Sequence, residues 1–403
     1  MNKLKTLVSY QGHNYLLPFL IISSLFFMWG FAHSILEVLN PHFQQSFQIS
    51  KTMASLVQVA VYGGYFLMAL PAGMIITRWG YKAGVLTGLL LYGIGALLFI
   101  PGAQINNYYF FIFSLLIIGF GLTCLETSAN PYTTVLGHPD QAESRINLSQ
   151  CLNGVGWIAG PFVGGALLFS EGGGSANISL PYTIVGVAVL AVAVIFSRLH
   201  LPEIATHSDE GEAADSEASP LASRGFWFGL LALFLYVAAQ TGVNSFFINY
   251  MTENAGISHE TAANWLAFGG MGLFVFGRLT GGIVMNYVRG ELLLGIYSVA
   301  AAVATLVIVF ATGRLTLVPF FIVYLCESIM FPTIFSLALR SANGNTKKAS
   351  SYLIMTIVGG AVAPPMMGYI ADTTGSMPLA FFVPLACYAV IAAYSFSVSG
   401  RKN

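Results

Sequence analysis

The sequence is poor in charged residues, since only 8% of its 403 residues are Asp, Glu, Lys or Arg. Soluble globular domains carry about 25%, so a soluble protein is excluded. The formal net charge is zero and gives no electrostatic reason to expect a nucleic-acid partner. Hydrophobic residues make up 56% of the chain, which indicates an integral membrane protein.

Cysteine is also scarce. The four cysteines, Cys124, Cys151, Cys326 and Cys387, lie far apart in apolar segments without metal-ligand spacing, so neither a disulfide nor a metal site is expected. A phosphate-binding loop and a nucleophile–base pair are also missing, so we expect no cofactor and no enzymatic activity. The first apolar run, from Tyr15, lacks a small-residue cleavage site, so a cleavable signal peptide is not expected.

Apolar runs of membrane-spanning length fill most of the chain. A helix needs about 20 apolar residues to cross a bilayer. The predicted spans are residues 15–39, 53–76, 83–101, 108–136, 147–170, 181–199, 225–252, 261–287, 291–311, 315–339, 349–371 and 377–398. The acidic, Ala/Ser-rich stretch after the sixth span has a linker composition. We therefore expect an N-terminal six-helix bundle (1–200), an acidic cytoplasmic linker (201–224) and a C-terminal six-helix bundle (225–403).

The lysines and arginines predict the orientation in the membrane. With the N-terminus inside, only Lys51 and Arg314 lie on the outer side, and Arg278 lies within the eighth span. The other basic residues considered lie on the inner side: Lys3, Lys5, Arg78, Lys82, Arg145, Arg198, Arg224, Arg289, Arg340, Lys347, Lys348, Arg401 and Lys402. This asymmetry follows the positive-inside rule, so both termini are expected to be cytoplasmic.

The two halves contain a related motif. Glu126 stands five residues before Pro131 in the fourth span (CLETSANP), and Glu327 stands five residues before Pro332 in the tenth (CESIMFP). Two similar sets of six spans are typical of a major facilitator architecture, in which substrate binds near the midplane. We therefore predict an all-α membrane protein with a major facilitator fold and twelve transmembrane helices in two six-helix halves.

Charged side chains inside the spans are candidate functional residues, because each costs about 2.5–3.5 kcal/mol at the bilayer centre. Glu37, near the outer end of the first span, is either a protonatable carboxylate or an interfacial residue. His33, one turn earlier, is either a structural hydrogen bonder or a proton relay. Glu126 is expected to carry a proton or to bind a sugar hydroxyl, with an ion pair to Arg278 as the structural alternative. For Glu327 the hypotheses are substrate binding, coupling, a cation site, or pairing with Arg278.

Other residues are predicted to act in conformational change. Pro131 removes one backbone hydrogen bond from the fourth span, so Asn130-Pro131 is expected to let that helix bend. Arg278, near the cytoplasmic end of its span, is expected to hold helix ends in one conformer.

The inner loop MIITRWGYKAG resembles the major facilitator signature G-x-x-x-D-R-x-G-R-K. The residues that match it are Gly73, Arg78, Gly80 and Lys82. Thr77 replaces the expected Asp, and Tyr81 replaces the second basic residue. Arg78 and Lys82 are therefore predicted to be conformational residues in a charge relay that is incomplete.

Neutral amides are the remaining polar groups of the spans: Gln58, Gln150, Asn153, Gln240, Asn244 and Asn264. Amides both donate and accept hydrogen bonds, which suits a ligand covered in hydroxyls, although helix–helix contact is the alternative role. Trp157 is a candidate apolar face for a sugar ring, with packing as the alternative. Together these residues favour an uncharged polyol over a lipophilic drug or a multivalent anion.

Longer motifs resemble one known family. QVAVYGGYFLMALPAGMIITRWGYKAGVLTGLLLY, GLTCLETSANPYTTVLG, SRINLSQCLNGVG, and FPTIFSLAL followed by IMTIVGGAVAPPMMG look like the fucose–galactose–glucose:proton symporter family. The resemblance implies that Glu37 carries the coupling proton and that Glu126 serves sugar recognition and the proton route. It also implies that Gln150 and Asn153 line the sugar cavity. Glu327 departs from the family pattern, where a neutral polar residue is expected.

The predicted function is secondary active transport. We expect proton-coupled symport of a monosaccharide of the fucose, galactose or glucose type, by alternating access. Sodium coupling through Glu327 and neighbouring oxygens is the first alternative, and drug:proton antiport is the second. The expected partners are a sugar, a proton and the lipid bilayer, and the chain is expected to act as a monomer in a bacterial inner membrane.

Overall fold

The computed structural model describes residues 8–10, 13–137, 142–169, 175–199, 223–285, 287–342 and 346–399. Nearly all of them are helical. The helices are α1 (Leu16–Ser34), α2 (Leu36–Phe47), α3 (Lys51–Ala54), α4 (Leu56–Leu97), α5 (Phe99–Ile105), α6 (Tyr108–Val135), α7 (Ala142–Leu168), α8 (Ser175–Arg198), α9 (Arg224–Ala255), α10 (His259–Asn264), α11 (Gly272–Val284), α12 (Gly290–Phe310), α13 (Leu317–Glu327), α14 (Met330–Arg340), α15 (Thr346–Met355), α16 (Ala363–Thr374), α17 (Met377–Ala380) and α18 (Phe382–Ser399).

Shorter elements accompany these helices. A π-helical segment (Trp265–Met271) joins α10 to α11, and two 3-10 segments (Arg314–Thr316 and Thr356–Ala361) precede α13 and α16. Before α1, the strands β1 (Ser9–Tyr10) and β2 (His13–Asn14) pair antiparallel.

Ten stretches of the described residues are long and apolar enough to cross a membrane. One of them, 51–105, has 55 residues. It turns within α4 at Gly80, where φ is +81°, so it accommodates the second and third predicted spans. The eighth predicted span falls on α10, the π-helical segment and α11. The all-α membrane fold is confirmed, and the helices accommodate the twelve predicted spans.

The helices form two compact units. The first comprises residues 1–39 and 63–207, and the second comprises residues 40–62 and 208–403. Residues 40–62, which the sequence assigned to the N-terminal half, thus group with the second unit. Residues 201–222 of the predicted linker lie outside the described residues, and the division into two six-helix halves stays a prediction.

Polar contacts inside the second unit account for the grouping of residues 40–62. The backbone N–H and the hydroxyl of Thr52 donate to one carboxylate oxygen of Asp372, at 2.8 and 2.6 Å, and the N–H of Lys51 donates to the other at 3.1 Å. The ammonium of Lys51 also pairs with Glu253 at 3.0 Å. Asp372 therefore satisfies the backbone N–H groups that the start of α3 leaves without helical partners.

Glycines allow α1 and α7 to pack closely in the first unit. A Cβ atom at Gly156 would lie 2.3 Å from the carbonyl oxygen of Phe27, and one at Gly30 would lie 2.3 Å from that of Asn153. The Ser34 hydroxyl donates to the Gly156 carbonyl at 3.1 Å. Small residues and interhelical hydrogen bonds drive association of membrane helices, because lipid is as apolar as a leucine side chain. This packing brings α1 residues against α7.

We expect Gly156→Val to destabilise the first unit by about 1–3 kcal/mol, because the added atoms have no room against α1. Thermal unfolding of the purified protein measures the change. Gly63→Val is the matched control, since nothing lies within 4 Å of the Cβ position at Gly63. Equal losses in the two variants would contradict the close packing at Gly156.

Candidate functional site

Three polar side chains of the first unit form a hydrogen-bonded chain. His33 near the end of α1 lies with its Nε2 atom 3.0 Å from the Tyr65 hydroxyl of α4. The Tyr65 hydroxyl also hydrogen-bonds the carboxyl group of Glu126 on α6. If Nε2 carries the proton of His33, it donates to Tyr65, and Tyr65 donates to Glu126. The arrangement can pass a proton between an imidazole and a carboxyl group.

Aromatic rings surround the imidazole of this chain. Trp157 of α7 stacks on His33 with centroids 6.0 Å apart and an interplanar angle of 15°, and Trp29 meets it edge-on at 6.3 Å. Trp157 is half-buried and His33 is buried. The predicted sugar-facing residue Trp157 therefore lies beside the polar chain, with one of its ring faces on His33.

Tyr65 is a residue that the sequence reasoning missed. Gln58, Tyr62 and Tyr65 follow a spacing of four and three residues in α4, which places polar groups on one helix face. That spacing could have indicated Tyr65 as a polar residue of the site, but a tyrosine in an apolar run is more often a packing residue. Only the contact with both His33 and Glu126 distinguishes Tyr65.

We expect Tyr65→Phe to slow proton-driven uptake about tenfold, because it removes two hydrogen bonds and leaves the ring in place. Uptake into proteoliposomes under an imposed pH gradient measures the effect. Tyr92→Phe is the control, since the Tyr92 hydroxyl donates to the Met28 carbonyl at 3.3 Å, away from the carboxyl groups. An unchanged rate in Tyr65→Phe would contradict the relay.

Glu37 lies in the first turn of α2 and is 2% exposed. This burial suits a protonatable carboxylate better than an interfacial one, and the role of Glu37 in proton coupling stays a prediction. Asn153, also buried, donates from Nδ2 to the Phe26 carbonyl at 3.1 Å, so it takes part in the packing of α7 on α1. Gln150 is half-buried one turn earlier on α7. Sugar contacts by Gln150 and Asn153 stay a prediction.

Asn130 lies one turn after Glu126 on α6, and its Nδ2 donates to the Glu126 carbonyl at 3.1 Å. The helix continues through residues 130 and 131 to Val135. The side chain of Pro131 lies outside the described part of the structure, so the bending role stays a prediction. The amide of Asn130 instead fixes the turn that carries Glu126.

The inner-loop residues make local contacts. The Lys82 ammonium donates to the carbonyls of Ser197 and Leu199, at 2.9 and 2.8 Å, where the last carbonyls of α8 attract a cation. The guanidinium of Arg78 lies 5.1 Å from the centre of the Trp79 ring. Lys82 therefore ties the start of the third predicted span to the end of the sixth, and the conformational role of both residues stays a prediction.

The second unit has its own buried carboxyl group, Glu327, at the end of α13. Its side chain is 0% exposed, and its Oε1 accepts a hydrogen bond from the Tyr388 hydroxyl of α18 at 2.5 Å. The Tyr236 hydroxyl of α9 donates to the backbone carbonyl of Glu327 at 3.0 Å. The other carboxyl oxygen, Oε2, is buried without a hydrogen-bond partner among the described residues.

Arg278 does not pair with Glu327, which removes one of the hypotheses for both residues. The ion pairs within the described residues join Lys51 to Glu253 and Arg289 to Glu291. Arg278 donates from Nε to the Ser328 carbonyl at 3.4 Å and lies over the Phe274 ring. Pro332 has no N–H, so it leaves the carbonyl four residues earlier without a helical donor. Arg278 therefore satisfies the backbone at the break between α13 and α14.

The predicted amides of the second unit differ in burial. Gln58 and Asn244 are 0% and 2% exposed. Both side-chain polar atoms of Gln58, and the Oδ1 atom of Asn244, lack a hydrogen-bond partner in the described part of the chain. Gln240 and Asn264 are half-buried. Buried polar atoms without partners are costly, and sugar contacts by these four amides stay a prediction.

The sequence matches a family model over most of its length. Residues 22–356 match the model of the Major Facilitator Superfamily. The chain belongs to the Major Facilitator Superfamily. This membership confirms the predicted fold and the prediction of a transporter rather than an enzyme.

Similar proteins within the superfamily support the narrower resemblance. The chain is 37% identical to the L-fucose-proton symporter of Escherichia coli over 94% of its own length and 93% of that protein's. It is 36% identical to the glucose/galactose transporter of Brucella abortus over 98% and 96%. A crystal structure of the transporter FucP in the outward conformation matches with a TM-score of 0.69 and 35% identity, over 95% of this chain and 99% of that one. The predicted resemblance to the fucose–galactose–glucose:proton symporter family is confirmed.

Proposed function

We propose that the chain carries a monosaccharide of the fucose, galactose or glucose type across the membrane together with a proton, by alternating access. The observation that carries the proposal is the set of hydrogen bonds that joins His33 through Tyr65 to Glu126. It occurs in a protein that is similar to a fucose-proton symporter. Glu126 forms no ion pair with a described residue. A membrane carboxyl group with hydrogen bonds but no cation is suited to gain and lose a proton.

The proton and the sugar are linked through the cost of charge in a dry site. A carboxylate without a partner is costly when water is excluded, whereas the neutral acid is not. Glu37 and Glu126 therefore take up a proton before the sugar-loaded carrier changes conformation. Glu126, Gln150, Asn153 and Trp157 bind sugar from the first unit, and Gln58, Gln240, Asn244, Asn264 and Glu327 bind it from the second.

The remaining features belong to the same proposal. The positive-inside pattern supports cytoplasmic termini, and the bacterial relatives support a bacterial inner membrane. The carrier acts as a monomer, and the changes of conformation involve Arg78, Lys82, Asn130, Pro131 and Arg278.

Uptake by the purified protein in proteoliposomes tests the proposal. We expect radiolabelled fucose, galactose or glucose to accumulate when the outside is acid, and to show no response to a sodium gradient at fixed pH. Accumulation that follows sodium alone would replace proton coupling by the sodium alternative. Transport of none of the three sugars under either gradient would contradict the proposal.

A further inference from the structure

Glu327 is the buried carboxyl group whose purpose the proton relay of the first unit does not explain. It lies in the last turn of α13, directly before the interruption between α13 and α14. Interrupted transmembrane helices place polar groups at binding sites near the midplane of many transporters. The position is therefore one at which a ligand is expected.

The groups around the Glu327 carboxyl are neutral. Tyr388 of α18 donates to Oε1, and Tyr236 of α9 donates to the backbone carbonyl of the same residue. Cys326 precedes it on α13, and Cys387 precedes Tyr388 on α18; both thiols are buried and free. The guanidinium of Arg278 on α11 is turned to the Ser328 carbonyl. No described cation compensates a negative charge here, so burial favours the protonated acid.

The hydrogen bond with Tyr388 favours one position for the proton of that acid, because Oε1 is the only acceptor that the Tyr388 hydroxyl has among the described residues. Oε1 accepts from a hydroxyl, so it serves as the carbonyl oxygen of the carboxylic acid. The proton then lies on Oε2, which becomes a hydroxyl donor. Oε2 is buried and has no partner among the described residues, so a sugar hydroxyl that reaches it would satisfy the donor.

Other polar groups of the second unit lie on α9, which contacts Glu327. Tyr236, Gln240 and Asn244 are spaced four residues apart on α9 and share one face of that helix. Tyr236 contacts Glu327, and Asn244 on that face has a buried oxygen without a partner. A row of neutral donors and acceptors suits the hydroxyl groups of a sugar, whereas a sodium ion needs several charged or carbonyl oxygens around one point. Among the described residues, no group of three His, Cys, Asp or Glu side chains is placed to hold a metal ion.

We infer that Glu327 stays a neutral carboxylic acid throughout transport and donates a hydrogen bond from Oε2 to one hydroxyl of the sugar. Glu327 thereby determines which sugar is accepted and carries no coupling proton. The inference rests on the proposed sugar transport. It explains how a family member can hold an acid where a neutral polar residue is expected, because the protonated acid is itself a neutral polar residue.

Two substitutions of similar size test the donor. Glu327→Gln keeps an N–H donor at this place, and Glu327→Met removes it. We expect calorimetry to show sugar affinity within a few-fold of wild type for the glutamine variant, and a loss of about tenfold to a hundredfold for the methionine variant. Equal losses in both variants overturn the inference.

Monodeoxy sugars separate a direct contact from a loss of structure. One monodeoxy sugar should bind wild type and Glu327→Met equally weakly, because the partner hydroxyl is already absent. Every other deoxy sugar should still lose affinity on the change to methionine. If the methionine variant weakens all sugars by the same factor, Glu327 has only a structural role and the inference is wrong.

The number of protons moved per sugar tests the claim that Glu327 does not titrate. We expect it to be the same in Glu327→Gln, in wild type and in the control Glu291→Gln, whose carboxylate is buried but paired with Arg289 at 3.2 Å. If fewer protons move per sugar in Glu327→Gln alone, Glu327 is a coupling site. If sugar binding depends on sodium and this dependence is lost in Glu327→Gln, Glu327 is a cation site. Either result overturns the inference.

Infrared spectroscopy distinguishes failure of this inference from failure of the proposed function. A protonated carboxyl band that is present at neutral pH and lost in Glu327→Gln shows the neutral acid even in a protein that transports no sugar. Absence of that band from wild type overturns the inference while proton-driven sugar uptake, if observed, stands.

Discussion

Glu37→Gln is expected to abolish sugar accumulation driven by an acid exterior while leaving sugar counterflow. Glutamine resembles the protonated acid in shape and in hydrogen bonding but cannot release a proton. The loaded carrier can therefore still exchange sugar across the membrane, whereas the proton gradient no longer drives net uptake. Glu37 is 2% exposed, so a permanently neutral side chain at this place also avoids the cost of a buried charge.

The measurement compares two assays on the same proteoliposomes. Acid-driven uptake should fall to the rate of empty vesicles, and counterflow into sugar-loaded vesicles should stay within a few-fold of wild type. Glu291→Gln serves as the control for removing a buried carboxylate elsewhere, and we expect it to retain both activities. Loss of counterflow in Glu37→Gln with intact sugar binding would show that Glu37 is not simply the coupling site.

Glu126→Ala is expected to lower sugar affinity by about tenfold to a hundredfold. The change removes the carboxyl group that the Tyr65 hydroxyl contacts and that we propose to bind a sugar hydroxyl. Removing one partner so that a buried hydrogen-bonding group is left unsatisfied costs about 1–3 kcal/mol, which corresponds to that range of affinity. Isothermal titration calorimetry on the purified protein measures the loss directly.

A second variant divides sugar recognition from proton transfer at the same residue. Glu126→Gln keeps hydrogen-bonding groups, so its sugar affinity should exceed that of Glu126→Ala, but its sugar affinity should depend on pH less than that of wild type, where Glu37 and Glu126 both titrate. Thermal unfolding of both variants checks that the first unit is intact. Unchanged affinity in Glu126→Ala would show that Glu126 serves the proton route alone.

The contrast between Glu126 and Glu327 shows how far a sequence motif predicts a site. Both stand five residues before a proline at equivalent places of the repeat, and the same chemistry was considered for both. The structure separates them, because Glu126 is joined through Tyr65 to an imidazole, whereas among the described residues the Glu327 carboxyl accepts a hydrogen bond from the Tyr388 hydroxyl alone. Neither neighbourhood has a sequence signature, since the contacts come from helices far apart in the chain.

The partner of Arg278 could not be predicted from the sequence either. A lone arginine in a membrane span suggests a carboxylate partner, and Glu327 was a candidate. Instead, a proline in α14 releases the Ser328 carbonyl, and Arg278 donates to it. Pro332 and Arg278 are both visible in the sequence. Whether Arg278 reaches the carbonyl that Pro332 leaves without a donor depends on how α11 packs beside α13.

The sequence alone determined the class of the protein, its spans and its family. Apolar length, the scarcity of charge and the repeated motif are properties of consecutive residues, and the bilayer acts on them locally because every spanning backbone must satisfy its own hydrogen bonds. The tertiary structure decided the partners of each polar group: Tyr65 between His33 and Glu126, Asp372 on the start of α3, and an unsatisfied oxygen on Glu327. Those partners depend on helix packing at the scale of single hydrogen bonds, which residue order does not specify.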